Sequence, residues 1–115
     1  MADCIFCKIV KKEIPCQSVY ENDEVLAFKD ISPQAPVHIL VIPKKHHINI
    51  NEVDTNSANI FSHLYQAAQI VAQKMGIDQT GYRCVINTNP EGGQTVYHLH
   101  LHVLGGKQMG PSMVG

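Results

Sequence analysis

Three of the seven histidines fall within five residues, His98, His100 and His102, and they alternate with Leu99, Leu101 and Val103. A β-strand sends successive side chains to opposite faces, so the pattern predicts three imidazoles on one face and three apolar residues turned to a core. Same-face neighbours on a strand lie roughly 6.6 Å apart, and the outer pair roughly 13 Å. One metal ion with Zn–N bonds of ~2.1 Å gathers two of them at most, which leaves at least one ring for another task. With an unperturbed pKa of ~6.5, one imidazole can attack as a neutral nucleophile while its neighbours donate to anionic oxygens. That division of labour suits phosphoryl or nucleotidyl transfer. The plainer alternative is a solvated polar face without a role, and strict alternation of three histidines argues against it.

Two further groups bear on the chemistry. Gly92-Gly93-Gln94-Thr95 precedes the histidines; glycines let backbone N–H groups approach a ligand, and threonine adds a hydroxyl, so this loop is a candidate phosphate cradle. It is not a Walker motif, since no Gly-Lys-Ser/Thr occurs. Cys4-Ile5-Phe6-Cys7 has the two-thiolate spacing of zinc sites, although a lone Cys-x-x-Cys also serves redox sites or buried thiols. His46, His47 and His98 lie too far along the chain for a zinc finger, so any metal site must be assembled by tertiary contact. Cys16, Cys84 and His63 have no partner pattern and are assigned to structure.

These residues need a scaffold. Ile5, Phe6, Ile9 and Val10 recur at helical spacing after Asp3, a suitable N-cap, and predict a short helix fraying before Pro15. Residues 19–21 and 25–28, separated by Asn22, Asp23 and Glu24, predict a hairpin. Residues 37–42 are rich in β-branched side chains and predict a strand ending at Pro43. A long helix is expected over 57–75, with Ile60, Leu64, Ala68, Val71 and Met75 as its stripe, Phe61, Tyr65 and Ala72 reinforcing it, and Gly76 as its stop. Residues 82–86 and 96–104 read as further strands. Runs of strands around one long helix favour an α+β fold with an antiparallel sheet.

The chain has 115 residues, 44% of them hydrophobic, enough for a single domain over 1–115 with its own core. Nine Lys plus Arg against ten Asp plus Glu give a net charge of -1, which speaks against a nucleic-acid partner. No apolar run approaches the ~18 residues of a membrane span and no signal pattern opens the chain, so a cytoplasmic protein without a membrane partner is expected.

The segment His98-Leu99-His100-Leu101-His102-Val103-Leu104 resembles the signature of the histidine triad (HIT) family, and specifically its Hint branch of nucleoside phosphoramidate hydrolases. Residues 26–36, 38–46 and 92–96 extend the likeness in order along nearly the whole chain. The resemblance implies a five-stranded antiparallel sheet with one long and one short helix, and a homodimer with continuous sheets. It implies that His100 attacks the α-phosphorus, that His102 contacts phosphate oxygens, and that His38 orients the imidazoles. By the same likeness Thr95 and the backbone around Gly93 and Gln94 hold the phosphate, Asp30 accepts the ribose hydroxyls beside Ile31, and Asn87 contacts phosphate or ribose. Ile5, Phe6, Ile9 and Phe28, ordinarily core residues, become the purine wall.

Relatives that keep both cysteines resemble a Cys2His2 zinc arrangement, which here would be Cys4, Cys7, His46 and His98. The likeness implies that such a site is structural, with no metal required for catalysis, and His47 competes with His46 for the ligand position. His98 would then serve the metal and leave His100 free. The C-terminal tail departs from Hint relatives, because this chain has no tryptophan. The implied activity is cleavage of purine nucleoside phosphoramidates to a nucleoside monophosphate and an amine. The rivals are a dinucleoside polyphosphate hydrolase and a nucleotide-binding or zinc-bearing interaction protein.

Overall fold

In the computed structural model, residues 4–111 are described. Five strands form one antiparallel sheet in the order β1-β2-β3-β5-β4: β1 is Ser18–Glu21, β2 Val25–Lys29, β3 Val37–Pro43, β4 Tyr82–Val85 and β5 Leu101–Gly105. Helix α1 is Ile5–Val10 and helix α2 is Ile60–Lys74. Among the described residues no helix is long and apolar enough to cross a membrane.

The hairpin closes because Asn22 Oδ1 accepts the N–H groups of Glu24 and Val25 at 2.8 and 2.9 Å, a side-chain substitute for a backbone turn. Alternation along the central strands then divides the apolar residues between two faces. Val25, Ala27, Ile39, Val41, Leu101 and Val103 pack with α2 through Ile60, Leu64, Ala67, Ala68, Val71 and Ala72. Leu26, Phe28, Leu40 and Ile42 pack with Phe6 and Ile9 of α1. The sheet is therefore covered on both faces, and the imidazoles share the face of α1.

Several boundaries differ from expectation. The N-cap expected at Asp3 lies outside the described residues; within them α1 opens at Cys4, whose Sγ accepts the Cys7 N–H at 3.3 Å. Helix α2 starts after a short 3-10 turn, Thr55–Ser57, because the Asp54 carboxylate accepts the Ser57 N–H at 3.0 Å and closes that turn first. Tyr65 is exposed rather than part of the stripe, since it sits about 100° round the helix from Leu64. The stop at Gly76 is as expected, with φ +73° and the Ile77 N–H returning to the Ala72 carbonyl.

The largest correction concerns the histidine strand, expected over 96–104. Its ladder with β3 begins only at Leu101, opposite Val41. Upstream, the groups that would continue the pairing are otherwise engaged. The Pro43 carbonyl accepts His98 Nε2–H at 2.8 Å, the His98 carbonyl accepts His100 Nδ1–H at 2.8 Å, and the Leu99 N–H donates to the His47 carbonyl. Side-chain and loop bonds have displaced the ladder. The alternation of facing survives, for Leu99 is buried on the α2 side while Phe6 of α1 contacts the rings of both His98 and His100.

Candidate active site

The hydrogen bonds assign a proton to each imidazole. A carbonyl only accepts, so His100 carries its hydrogen on Nδ1 and leaves the lone pair of Nε2 free. The ring is 6% exposed, yet Nε2 is not among the occluded unpartnered atoms of the described residues. His38 sits on β3 opposite Leu104, and His102 on β5 opposite Leu40, which makes the two rings diagonal neighbours on one face. His38 Nδ1 accepts the Gln34 N–H at 3.0 Å, so its hydrogen is on Nε2, which donates to His102 Nδ1 at 2.9 Å. His102 in turn carries its hydrogen on Nε2. A bare nucleophilic nitrogen thus stands beside an N–H donor, with ring centroids 4.9 Å apart.

Burial keeps these rings neutral. It pushes His102 down to about 4, aided by the neighbouring His100 and His38, and it lowers His100 and His38 as well. Asp30 acts in the opposite sense on all three. Asp30 Oδ2 lies 3.4 Å from His38 Nε2, so Asp30, His38 and His102 are also close enough to suggest a metal site. The proton on His38 Nε2 occupies the nitrogen such an ion would need, so the trio is a hydrogen-bonded pair of histidines with a carboxylate beside it.

A cleft of about 540 Å³, lined in part by Ile5, Ile9, Phe28, Asp30 and Ile31 and by no histidine, reaches this row through Asp30. Ile31 is 97% exposed at its rim. Phe6, expected in the purine wall, is not in the lining; it is buried edge-on against Phe28, His98 and His100, with centroids 5.7, 5.8 and 5.2 Å away. The position one residue on from Ile5 on a helix faces the sheet instead of the cleft.

The loop expected to cradle phosphate makes backbone bonds of its own. The N–H groups of Gly92 and Gln94 donate to the Asn89 carbonyl, and that of Gly93 to Pro90, closing the loop on itself. Gln94 is buried, its amide donating to the carbonyls of Ile48 and Val96 and accepting from Asn49 Nδ2 and the Asn89 N–H. Asn87 Nδ2 donates to the Gly92 carbonyl at 2.7 Å. Asn87, Gly93 and Gln94 therefore shape the loop, and Thr95 is exposed next to it.

Four donors converge on the other side of α1. His98 Nε2 is hydrogen-bonded to Pro43, so its Nδ1 holds a lone pair, 3.3 Å from Cys4 Sγ, 3.6 Å from Cys7 Sγ and 3.2 Å from His46 Nδ1. His46 Nδ1 is 3.3 Å from Cys7 Sγ. Zn–N of ~2.1 Å and Zn–S of ~2.3 Å give tetrahedral edges of about 3.4 to 3.8 Å, so the donor set fits zinc. Among the described residues His46 Nε2 is buried without a partner. His46, not His47, belongs to this cluster; His47 lines a separate cleft with Asp23 and Lys45.

The HIT domain family matches residues 11–109. The chain belongs to the HIT family. It is 45% identical to the purine nucleoside phosphoramidase of Escherichia coli K12 over 111 residues, 96% of this chain and 93% of that protein. It is 49% identical to the 14 kDa zinc-binding protein of Brassica juncea over 109 residues, 93% of this chain and 96% of that one. The solved HIT family hydrolase from Clostridium thermocellum superposes with a TM-score of 0.96 at 47% identity, covering 98% of each chain.

In this HIT chain, sequence reasoning missed the groups that set the tautomers. The carbonyls of Pro43 and His98 and the N–H of Gln34 are backbone atoms, so no residue type signals them. Asn49, 2% exposed and bonded to Asn89 and Gln94, was missed for a different reason, since an asparagine between Ile48 and Ile50 reads as an ordinary loop residue.

Proposed function

We propose that this chain is a purine nucleoside phosphoramidate hydrolase of the Hint branch. The observation that carries the reading is the free lone pair of His100 Nε2 beside the Nε2–H of His102. His100 Nε2 attacks the α-phosphorus, the P–N bond breaks, and the amine departs with a proton taken from solvent, which is returned when the water of the second step gives up its own. His102 donates to a phosphoryl oxygen as charge builds there. Water then adds to phosphorus, the His–P bond breaks, and a nucleoside monophosphate leaves with His100 restored. Asp30 accepts the ribose hydroxyls, Ile5, Ile9, Phe28 and Ile31 enclose the base, and Thr95 steadies the phosphate and the leaving group. The phosphoramidase activity named for the Escherichia coli relative supports this substrate class.

Cys4, Cys7, His46 and His98 are proposed to hold a structural zinc, which ties α1 to the segment after β3 and to the histidine row and takes no part in the reaction. The zinc-binding name of the Brassica juncea relative supports it. A homodimer with continuous sheets completes the proposal. The test is release of AMP from adenosine 5′-phosphoramidate and from a diadenosine polyphosphate. P–N cleavage is expected to dominate, and His100→Ala to lower it by about 10³-fold or more. Faster turnover of the dinucleotide would move the chain to the rival branch, and unchanged turnover in His100→Ala would overturn the mechanism.

A further inference from the structure

One proton in this site has an acceptor in line and a carboxylate close by. His38 Nε2–H is 2.9 Å from His102 Nδ1 and 3.4 Å from Asp30 Oδ2, while the Gln34 N–H closes the other nitrogen of the ring. Asp30 cannot swing away. Its Oδ1 accepts the Ser32 N–H at 2.7 Å, and its own N–H donates to the His38 carbonyl at 3.0 Å. The same carboxylate lines the cleft, with a side chain 18% exposed against 3% for His38. It faces the cleft on one side and the histidine pair on the other.

We infer that Asp30 couples the ribose subsite to the imidazole row: a sugar diol donating to its carboxylate weakens its pull on the His38 Nε2–H and strengthens the bond from His38 to His102. The inference rests on the nucleotide reading above. A carboxylate 3.4 Å from the donor nitrogen draws the hydrogen off its line to the nearer acceptor, and a carboxylate already accepting two hydroxyls draws less. With the proton committed to His102 Nδ1, His102 is held in the form that presents Nε2–H to the phosphate. No bond is made or broken in this step and no net proton is moved between residues. Ribose hydroxyls then contribute to kcat and not only to binding. His38 is a positioning residue, and Asp30 adds a positioning role to its contact with the sugar.

The experiment compares adenosine 5′-phosphoramidate with its 2′,3′-dideoxy analogue in wild type, Asp30→Asn and His38→Asn. In wild type the dideoxy substrate is expected to lose about 10-fold in kcat, a coupling of ordinary size between sites. In both variants that loss shrinks to about 2-fold or less, because the connection is cut. A rise in KM alone, or an equal kcat loss in all three proteins, overturns the coupling. A second readout needs no turnover: long-range ¹⁵N–¹H spectra of the histidine rings with AMP or 2′,3′-dideoxy-AMP bound. AMP is expected to drive His102 further toward the Nε2–H tautomer than the dideoxy nucleotide does. If that difference appears while neither phosphoramidate is cleaved, the hydrolase reading falls and the coupling stands. Equal spectra with both nucleotides bound overturn the coupling, and failure of AMP to bind overturns both.

Discussion

His102 is the ring whose charging the fold resists most clearly outside the metal cluster, with a pKa pushed down to about 4 by burial and by its histidine neighbours. The unfolded chain, with an ordinary value of ~6.5, binds the proton more readily across the interval between, so stability rises with pH there. The contribution is fully present above about pH 6.5, is lost as pH falls toward 4, and levels off below that. Its size is at most about 3 kcal/mol, reduced by the solvent that reaches the half-buried ring. Urea unfolding at pH 7 and pH 4.5 is expected to show a larger drop for wild type than for His102→Gln, which has nothing to titrate. Equal drops would mean that the ring is more hydrated than the structure describes. A second expectation concerns Gln94, a buried residue whose amide meets four partners, among them the buried Asn49 and the half-buried Val96. Gln94→Ala strands those partners and is expected to cost about 2–4 kcal/mol in urea unfolding; a loss below about 1 kcal/mol would show that the loop re-pairs.

Helix α1 is six residues long, too short to persist by itself, so its place depends on what it docks against. Phe6 and Ile9 bury against the sheet, each worth about 1.5–3 kcal/mol, and Cys4 and Cys7 join His46 and His98 at its start. Protein purified without chelator is expected to carry about one zinc per chain, and Cys4→Ser/Cys7→Ser none. The same variant is expected to exchange the amides of residues 5–10 faster and to release Phe6 from His100. Negligible zinc in both proteins would remove the metal, and unchanged exchange would show that packing alone holds the helix. This element also shows what a sequence can and cannot carry. Spacing revealed the helix, the pair of thiols and the facing of the three imidazoles, because those follow from local periodicity. It did not reveal that Phe6 braces His100 instead of lining the cleft, nor that the ladder starts at Leu101. Both depend on contacts with β3 and the segment after it, for which residues near 98 hold no local signal. The loop at Gly92 and Gly93 is ambiguous for a related reason, since Gly-Gly permits N–H groups to face a ligand but equally permits them to close a turn.

At the scale of the whole molecule, the sheet has two outer strands with different edges. Strand β1 has an irregular register between Ser18 and Tyr20, and its Glu21 is engaged by Lys12 at 3.0 Å and Lys44 at 2.7 Å, features that blunt an edge against further pairing. Strand β4 pairs with β5 in unbroken register from Tyr82 to Val85 and has no strand on its other side among the described residues. An uninterrupted edge is the geometry that accepts another strand, so β4 is where a second copy would continue the sheet. Sedimentation equilibrium is expected to return twice the chain mass of 12.7 kDa at micromolar concentration. Amide protection over residues 82–85 is expected to fall as the protein is diluted, in step with the loss of the larger species. Protection that does not change while the mass halves would place the interface elsewhere, and a monomer at every concentration would remove the dimer while leaving the chemistry of His100 within one subunit.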